Sequence, residues 1–175
     1  MKNRVMMAVA LLFLIVLTAC KNNTPSVSNE FSEIADFKNG DFDVNLIALD
    51  NFDQPVSSFQ LGEEITLVLS IKNTSGTQQT LTFRNSQRVV AVFFNDDTQE
   101  IVYDFDTVYS YLQVTGENII EPDETITFEN YVQSNDLGIG NFTVNAGVAL
   151  DGMDNSVLID DEMTQFEASV QFEVQ

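Results

Sequence analysis

Alternation of apolar and polar residues constrains the fold of this chain more than any other feature of its sequence. Residues 65–72 read ITLVLSIK, in which every second position is apolar, and residues 42–46 and 166–174 alternate in the same way. A period of two sends successive side chains to opposite faces of the backbone, as in a half-buried β-strand. These segments therefore predict strands that bury one face in an apolar core.

The strand pattern covers most of the chain from Phe42 onward. Val89 to Phe94 is apolar at every position, which predicts a central strand covered on both faces. Turn residues such as Asn73-Thr74-Ser75-Gly76 separate the strands, and no segment has convincing helical periodicity. The chain is therefore predicted to be an all-β, antiparallel β-sandwich of about eight or nine strands. The predicted strands lie at 42–49, 65–72, 80–83, 89–94, 100–105, 109–114, 125–132, 141–150 and 165–174.

The N-terminal residues show a different pattern. Lys2 and Arg4 precede thirteen apolar residues, 5–17, which as a helix of about 20 Å are too short to span a bilayer comfortably. This layout is typical of a secretory signal. The tetrad Leu-Thr-Ala-Cys at 17–20 resembles the lipobox of bacterial lipoproteins, which implies cleavage before Cys20 and acylation of this single cysteine. The alternative is an ordinary secretory signal in which the cysteine occurs by chance.

These signals divide the chain into three predicted parts. Residues 1–19 are a lipoprotein signal peptide, residues 20–40 are a lipid anchor and flexible tether, and residues 41–175 are the sandwich. Several acyl chains on Cys20 would hold the protein on a membrane in the cell envelope, facing the periplasm or the cell exterior. Lys21, directly after the cysteine, favours the outer membrane.

Composition excludes several kinds of chemistry. With 27 acidic and 7 basic residues, the chain has a formal net charge of −20, which argues against binding to nucleic acid or to anionic lipid headgroups. The sequence has no histidine, which excludes Ser-His-Asp and Cys-His catalysis and zinc sites built on histidine. We therefore predict a protein that is not an enzyme and needs no cofactor.

Four motifs in residues 58–132 occur in a characteristic order. They are SIKNT at 70–74, LTF at 81–83, NSQ at 85–87 and IEPDET at 120–125. In order and spacing they resemble the BsuPI-type intracellular proteinase inhibitor domain, an immunoglobulin-like sandwich named for an inhibitor of a subtilisin-like serine protease. The resemblance implies an immunoglobulin-like fold and a protease as partner. Ile120 and Asp123 stand where the family has leucine and glycine around the proline.

Two of these motifs also have structural interpretations. In Asn85-Ser86-Gln87, short polar side chains can bond their own backbone at a bend while the glutamine satisfies buried groups; the alternative is a contact surface. Pro122 fits the second position of a turn that leads into the next strand.

Aromatic residues supply the candidate protein contacts. Tyr103, Phe105, Tyr109 and Tyr111 cluster where two predicted strands meet. Aromatic side chains anchor many protein interfaces, but they are also ordinary sandwich-core residues. If Tyr109 and Tyr111 are exposed anchors, serine at both positions should weaken partner binding with little loss of stability, whereas core residues would lose much stability.

Carboxylates supply weaker candidates. A loop that opens at Asp151-Gly152 carries oxygen ligands of the kind that calcium accepts, although their spacing does not match an EF-hand loop. The calcium candidates are Asp151, Asp154, Asp160, Asp161 and Glu162; a solvated loop is the alternative. Paired carboxylates such as Asp104 with Asp106 and Glu63 with Glu64 could serve a carboxylate-dependent hydrolase, but among 27 acidic residues such pairs are expected by chance.

The sequence as a whole predicts a membrane-anchored lipoprotein whose sandwich binds another protein without catalysis. The resemblance implies a serine protease as the target. A structural or accessory envelope lipoprotein that has no protease target is the alternative function.

Overall fold

The computed structural model describes residues 40–151 and 166–175. These residues form ten strands and two single-turn helices, α1 (Phe105–Val108) and α2 (Ser134–Leu137). The strands are β1 (Phe42–Leu49), β2 (Ser58–Phe59), β3 (Glu64–Asn73), β4 (Gln79–Phe83), β5 (Val89–Asn95), β6 (Ile101–Asp104), β7 (Gly116–Ile120), β8 (Thr125–Gln133), β9 (Gly140–Val148) and β10 (Glu167–Val174).

Two main sheets and one strand pair make up the sandwich. In the three-stranded sheet, β3 lies between β1 and β8, and both pairings are antiparallel. The five-stranded sheet has the order β2-β10-β9-β5-β6 and is antiparallel except for the short parallel pairing of β2 with β10. β4 pairs with β7 separately. Each main sheet therefore has two edge strands, β1 and β8 in one sheet and β2 and β6 in the other.

One apolar core joins these sheets. The alternating residues of β3 that the sequence pattern places on one face, Ile65, Leu67, Leu69 and Ile71, are buried, and they share a cluster with buried residues of β5, β9 and β10. Burying one large apolar side chain contributes about 1.5–3 kcal/mol relative to leaving it exposed. The predicted all-β sandwich is confirmed.

The continuously apolar segment at Val89 behaves as predicted. β5 lies between β9 and β6, and its first five residues are all buried. Val90 and Val92, which point away from the main core, pack with Ala149 and Phe94 in a second small cluster. Both faces of this strand are thus covered.

Asn73 connects two of the motifs that resemble the inhibitor family. Its fully buried side-chain amide donates to the carbonyl oxygens of Thr77 (2.7 Å) and Ile120 (2.9 Å). Its backbone N–H and carbonyl bond Glu124 and Asp123 in the turn that contains the proline. Asp123 has φ = 63°, a backbone conformation that glycine adopts most easily, which gives a physical reason for the family's glycine at this position.

The prediction of a strand at 109–114 was wrong. The strand that follows β6 in the structure is β7, which begins at Gly116, and the intervening residues are mainly irregular backbone. β6 ends at Asp104 because the Asp104 carboxylate accepts the backbone N–H of Asp106 at 2.9 Å and begins a helical turn. The described residues contain ten strands. Eight of the nine predicted strands are present, and β7 and the two-residue β2 are additional.

Candidate functional site

The segment Phe105–Thr115 crosses from β6, at the edge of one sheet, to β7, which pairs with β4. We call this segment the side strap. It begins with α1, whose Tyr109 N–H donates to the Phe105 carbonyl oxygen at 3.0 Å, and continues as irregular backbone. It thus has no ladder of strand hydrogen bonds to hold it and depends on the attachments described below.

Phe105 is the inner anchor of the side strap. Its ring is fully buried and lies 5.8 Å from the ring centroid of Phe93, 6.1 Å from that of Tyr103 and 5.4 Å from that of Tyr109. The contacts with both tyrosines are edge-to-face, the geometry in which aromatic quadrupoles attract. Aromatic packing therefore fixes the first half of the strap against β5 and β6.

A hydroxyl contact attaches the same half to the other main sheet. The Tyr109 hydroxyl donates to the backbone carbonyl of Tyr131 in β8 at 2.9 Å. Burial, a hydrogen bond with Tyr109 and the nearby charge of Asp136 together raise the pKa of Tyr103. Tyr109 thus bridges β6 and β8, the two edge strands on this side of the sandwich.

Ser86 attaches the second half of the strap. The Leu112 N–H donates to the Ser86 hydroxyl oxygen at 2.9 Å, and the Ser86 N–H donates to the Leu112 carbonyl oxygen at 2.9 Å. The Val114 N–H also donates to the Leu112 carbonyl oxygen, at 2.8 Å. Both backbone groups of Leu112 are therefore occupied within the protein.

The neighbours of Ser86 support this attachment. The Gln87 side chain is buried and donates to the Asp106 carboxylate and to the Val89 carbonyl oxygen, while its backbone N–H donates to the Asn85 side chain. The structural interpretation of Asn85-Ser86-Gln87 accounts for these bonds. Ser86 in addition bonds Leu112 within the chain, a contact that the sequence did not predict.

Arg88 closes the end of the strap. Its guanidinium carbon lies 4.3 Å from the Phe83 ring centroid, and its Nη1 donates to the carbonyl oxygens of Asn85 (2.8 Å) and Gln87 (3.0 Å). A Cβ at Gly116 would lie 2.6 Å from Arg88 Nη2. Glycine at this position therefore lets the guanidinium pack directly against the backbone that leaves the strap.

The outer side of the strap carries apolar residues in solvent. Leu112 is 71% exposed and Val114 is 61% exposed, and Val108 and Tyr109 are also exposed. Exposed apolar side chains on a fixed backbone are typical of protein-binding surfaces. The side strap is therefore the candidate interaction site of the described domain.

The structure brings both candidate tyrosines into this site, in different environments. Tyr109 is 41% exposed, although its ring packs on Phe105. Tyr111 is half-buried, and its hydroxyl donates a long 3.5 Å hydrogen bond to the Phe105 carbonyl oxygen. Burial and the charge of Asp106 raise the pKa of Tyr111 to about 12. Tyr109 thus faces both the core and the solvent, and Tyr111 faces mainly inward.

Leu112 and Val114 were missed as site residues. Residues 109–114 were predicted as a strand, and the two residues were not considered as contacts. The available signal was the Asp104-Phe105-Asp106 sequence, since an aspartate carboxylate that accepts the backbone N–H two residues later favours a cap and a turn over a continuing strand.

Another exposed apolar residue, Phe52, lies outside the strap in the turn Asp50–Pro55, which we call the Phe52 turn. Phe52 is 81% exposed. The Asp50 carboxylate accepts the backbone N–H groups of Phe52 and Gln54, each at 2.9 Å, and the Gln54 side chain donates to the Phe52 carbonyl oxygen at 3.1 Å. This turn is held by its own residues.

The carboxylate candidates serve structural bonds where the structure describes them. Asp106 accepts from Gln87 as noted, and the carboxylates of Glu63 and Glu64 accept from the Gln60 N–H (2.7 Å) and the Gln133 side chain (3.0 Å). Of the calcium candidates, only Asp151 lies within the described residues, where its N–H donates to the Thr82 carbonyl oxygen at 2.8 Å. Asp154, Asp160, Asp161 and Glu162 lie outside them. In the described ranges, no three acidic or cysteine side chains are grouped as metal ligands.

Cys20 and the predicted signal peptide also lie outside the described residues. Among the helices at 40–151 and 166–175, none has the length and apolar character needed to cross a membrane.

Comparison with solved structures supports the class of fold. The C-terminal domain of Wzt aligns over 79% of this chain and 76% of its own, with a TM-score of 0.52 and 10% sequence identity. A β-glucosidase from Listeria innocua in complex with glucose aligns over 76% of this chain with a TM-score of 0.40 and 11% identity, and this chain spans only 16% of its length. At these identities the likeness concerns the fold alone, and the alignment with the Wzt domain is consistent with the all-β sandwich described above.

The particular family follows from the sequence. The model of the BsuPI family, described as intracellular proteinase inhibitor, matches residues 53–153, which is more than half of the chain. The protein therefore belongs to the BsuPI intracellular proteinase inhibitor family. Among curated proteins, no match is found.

Proposed function

We propose that this protein is a lipid-anchored proteinase inhibitor of the cell envelope, which binds a subtilisin-like serine protease through the side strap and performs no catalysis itself. Membership of the inhibitor family supports a proteinase as the partner. The lipobox-like residues before Cys20 support export and acylation. The side strap supports the location of the contact.

One observation carries the proposal: the strap presents apolar side chains on a backbone that is attached to both main sheets. Tyr109 bonds β8, and Leu112 bonds Ser86 in the segment before β5. A loop that is already held in one conformation loses less conformational entropy when it binds. Exposed Leu112 and Tyr109 are then available to fill apolar pockets on a target, where buried anchors dominate the binding energy.

Charge supports a target with a basic rim. Asp104 and Asp106 flank the start of the strap, and the chain has a net charge of −20. Opposite charges around a binding site accelerate association, and salt screens this effect with a Debye length of about 8 Å at physiological ionic strength. We therefore expect association with the proteinase to slow as salt is added, while the apolar contact governs dissociation.

An inhibition titration tests the function. The full-length protein, purified in detergent, is titrated against a panel of subtilisin-like and trypsin-like serine proteases. We expect stoichiometric, saturable inhibition of a subtilisin-like member, with the protein remaining uncut. Digestion without inhibition across the panel would contradict the proposal and leave the accessory envelope lipoprotein as the better interpretation.

A matched pair of variants tests the contact. Leu112 and Ile139 are almost equally exposed, at 71% and 70%, but only Leu112 belongs to the strap. We expect Leu112→Ala to raise the inhibition constant about 30-fold, because an interface anchor contributes about 2 kcal/mol. Ile139→Ala should leave the constant unchanged. Equal effects of the two substitutions would place the contact elsewhere.

Acylation has a separate test. Mass spectrometry of the protein from membranes should show an N-terminus at Cys20 that carries acyl chains, and Cys20→Ala should abolish both the modification and the recovery in membranes. Cys20→Ala should not change inhibition by the domain. An unmodified Cys20, or cleavage at another position, would contradict the lipid anchor while leaving the inhibition unaffected.

A further inference from the structure

Leu112 presents its side chain to solvent while its peptide groups face inward. The Leu112 carbonyl oxygen accepts two N–H groups, from Ser86 and Val114, and its own N–H donates to the Ser86 hydroxyl. Leu112 therefore makes two hydrogen bonds with Ser86, one with its backbone N–H and one with its hydroxyl. The most exposed apolar residue of the strap thus has both of its backbone polar groups bonded within the protein.

A serine protease needs the opposite arrangement in a substrate. The carbonyl oxygen of the bond to be cut must enter the oxyanion hole and accept hydrogen bonds from the enzyme as the serine attacks the carbonyl carbon. The Leu112 carbonyl meets this requirement only if it gives up its bonds to both Ser86 and Val114. The attached strap therefore presents the Leu112 side chain while the carbonyl of the Leu112–Gln113 bond stays bonded within the protein.

We infer that the side strap presents the Leu112 side chain to a protease without presenting the Leu112–Gln113 bond for cleavage, and that Ser86 is the positioning residue that keeps this bond out of reach. The role of the strap in inhibition rests on the proposed function, whereas the protection of this bond does not. Inhibition through the strap would then block the active site by side-chain contacts and leave the inhibitor intact.

Cleavage mapping with substitutions at Ser86 tests the inference. The full-length protein in detergent is incubated with a broad-specificity subtilisin-like protease, and cut sites are identified by mass spectrometry. Ser86→Ala removes the acceptor of the Leu112 N–H, Ser86→Thr retains a hydroxyl, and Ser110→Ala is a control at an exposed serine on the strap itself. Thermal melting of each variant separates local release of the strap from global unfolding.

The expected result is local and specific. Ser86→Ala should be cut after Leu112 about five to ten times faster than wild type, because proteolysis follows the population of the released strap and one hydrogen bond has been lost. Ser86→Thr and Ser110→Ala should resist as wild type does. Equal cutting of Ser86→Ala and Ser110→Ala would overturn the inference, as would rapid cutting of wild type after Leu112.

The inference and the proposed function fail in different ways. If wild type resists cleavage after Leu112 but inhibits no protease, the proposed function is wrong and the role of Ser86 stands. If wild type inhibits a protease in a complex whose Leu112–Gln113 bond is cut, the function stands and the role of Ser86 is overturned.

Discussion

The side strap and the Phe52 turn both hold an apolar side chain in solvent, but they are fixed by different means. The bonds that shape the Phe52 turn join near neighbours in sequence: a single carboxylate, that of Asp50, accepts two N–H groups, and a bridge between Leu49 and Pro55 closes the turn. The strap is held by Ser86, by Gln87 and by the Tyr131 carbonyl, which lie far from it in sequence. The turn can therefore form locally, whereas the geometry of the strap is a property of the assembled sandwich.

This difference separates two ways of presenting a contact residue. A locally fixed turn keeps its shape when the core is perturbed, so substitutions elsewhere in the fold should not move its side chains. A strap fixed by tertiary contacts lets both sheets determine the position of Tyr109 and Leu112. Substitutions in the core and at the strap attachments should then change inhibition, even where they touch no partner.

The largest expected effect comes from making the same substitution in the two regions. Phe105→Ala removes a fully buried ring that contacts three other aromatic rings, and it should lower the free energy of unfolding by about 3–5 kcal/mol. Phe52→Ala removes a ring that is 81% exposed and should change it by less than about 0.5 kcal/mol. Urea denaturation followed by circular dichroism measures both. Similar losses in the two variants would show that the strap and the turn do not differ as described.

The sequence predicted the parts of the fold that repeat with a local period. β3 could be predicted because its apolar residues alternate without interruption, and the face that they form packs against buried residues of β5, β9 and β10 in the other main sheet. The cover on both faces of β5 was predictable from its unbroken apolar run. In these strands the apolar residues of the sequence are the ones that the fold buries, because side chains of a strand alternate between its two faces.

The strap could not be predicted in the same way. Residues 109–114 have a strand-like composition, but Leu112 bonds Ser86, which is 26 positions away. Nothing in the sequence around either residue shows that the two meet. The structure shows Tyr103, Phe105 and Tyr109 in ring contact, although not between two strands as predicted, and the sequence alone left core and contact roles open. Tyr109 in the structure combines both environments, because one face packs on Phe105 while part of the ring meets solvent.

The next effect tests how local the Phe52 turn is. Asp50→Ala removes the acceptor for two backbone N–H groups and should lower the free energy of unfolding by about 1 kcal/mol, as loss of a capping side chain does. Asp50→Asn keeps an oxygen acceptor and should cost less. Neither substitution should alter the inhibition constant, because the turn shares no bond with the strap. A change in inhibition with Asp50→Ala would show that the two regions are coupled.

The smallest effect at neutral pH, and the one most specific to the strap, comes from Tyr111. Its pKa is raised from 10.0 to about 12 by burial and the nearby charge of Asp106, so the fold holds the neutral phenol more firmly than the unfolded chain does. The resulting stability is fully present below about pH 10 and is lost as the pH rises toward 12, because the unfolded chain then releases the proton first. The melting temperature, measured from pH 8 to 12, should therefore fall more steeply above pH 10 for wild type than for Tyr111→Phe, which has no phenol to titrate at this position.

Tyr131→Phe is the control. The pKa of Tyr131 is raised mainly by the hydrogen bond to Glu129, but the group is exposed and solvent screens it, so the slope should change little. Parallel curves for wild type and Tyr111→Phe would mean that Tyr111 meets water freely and that the inner side of the strap is not closed.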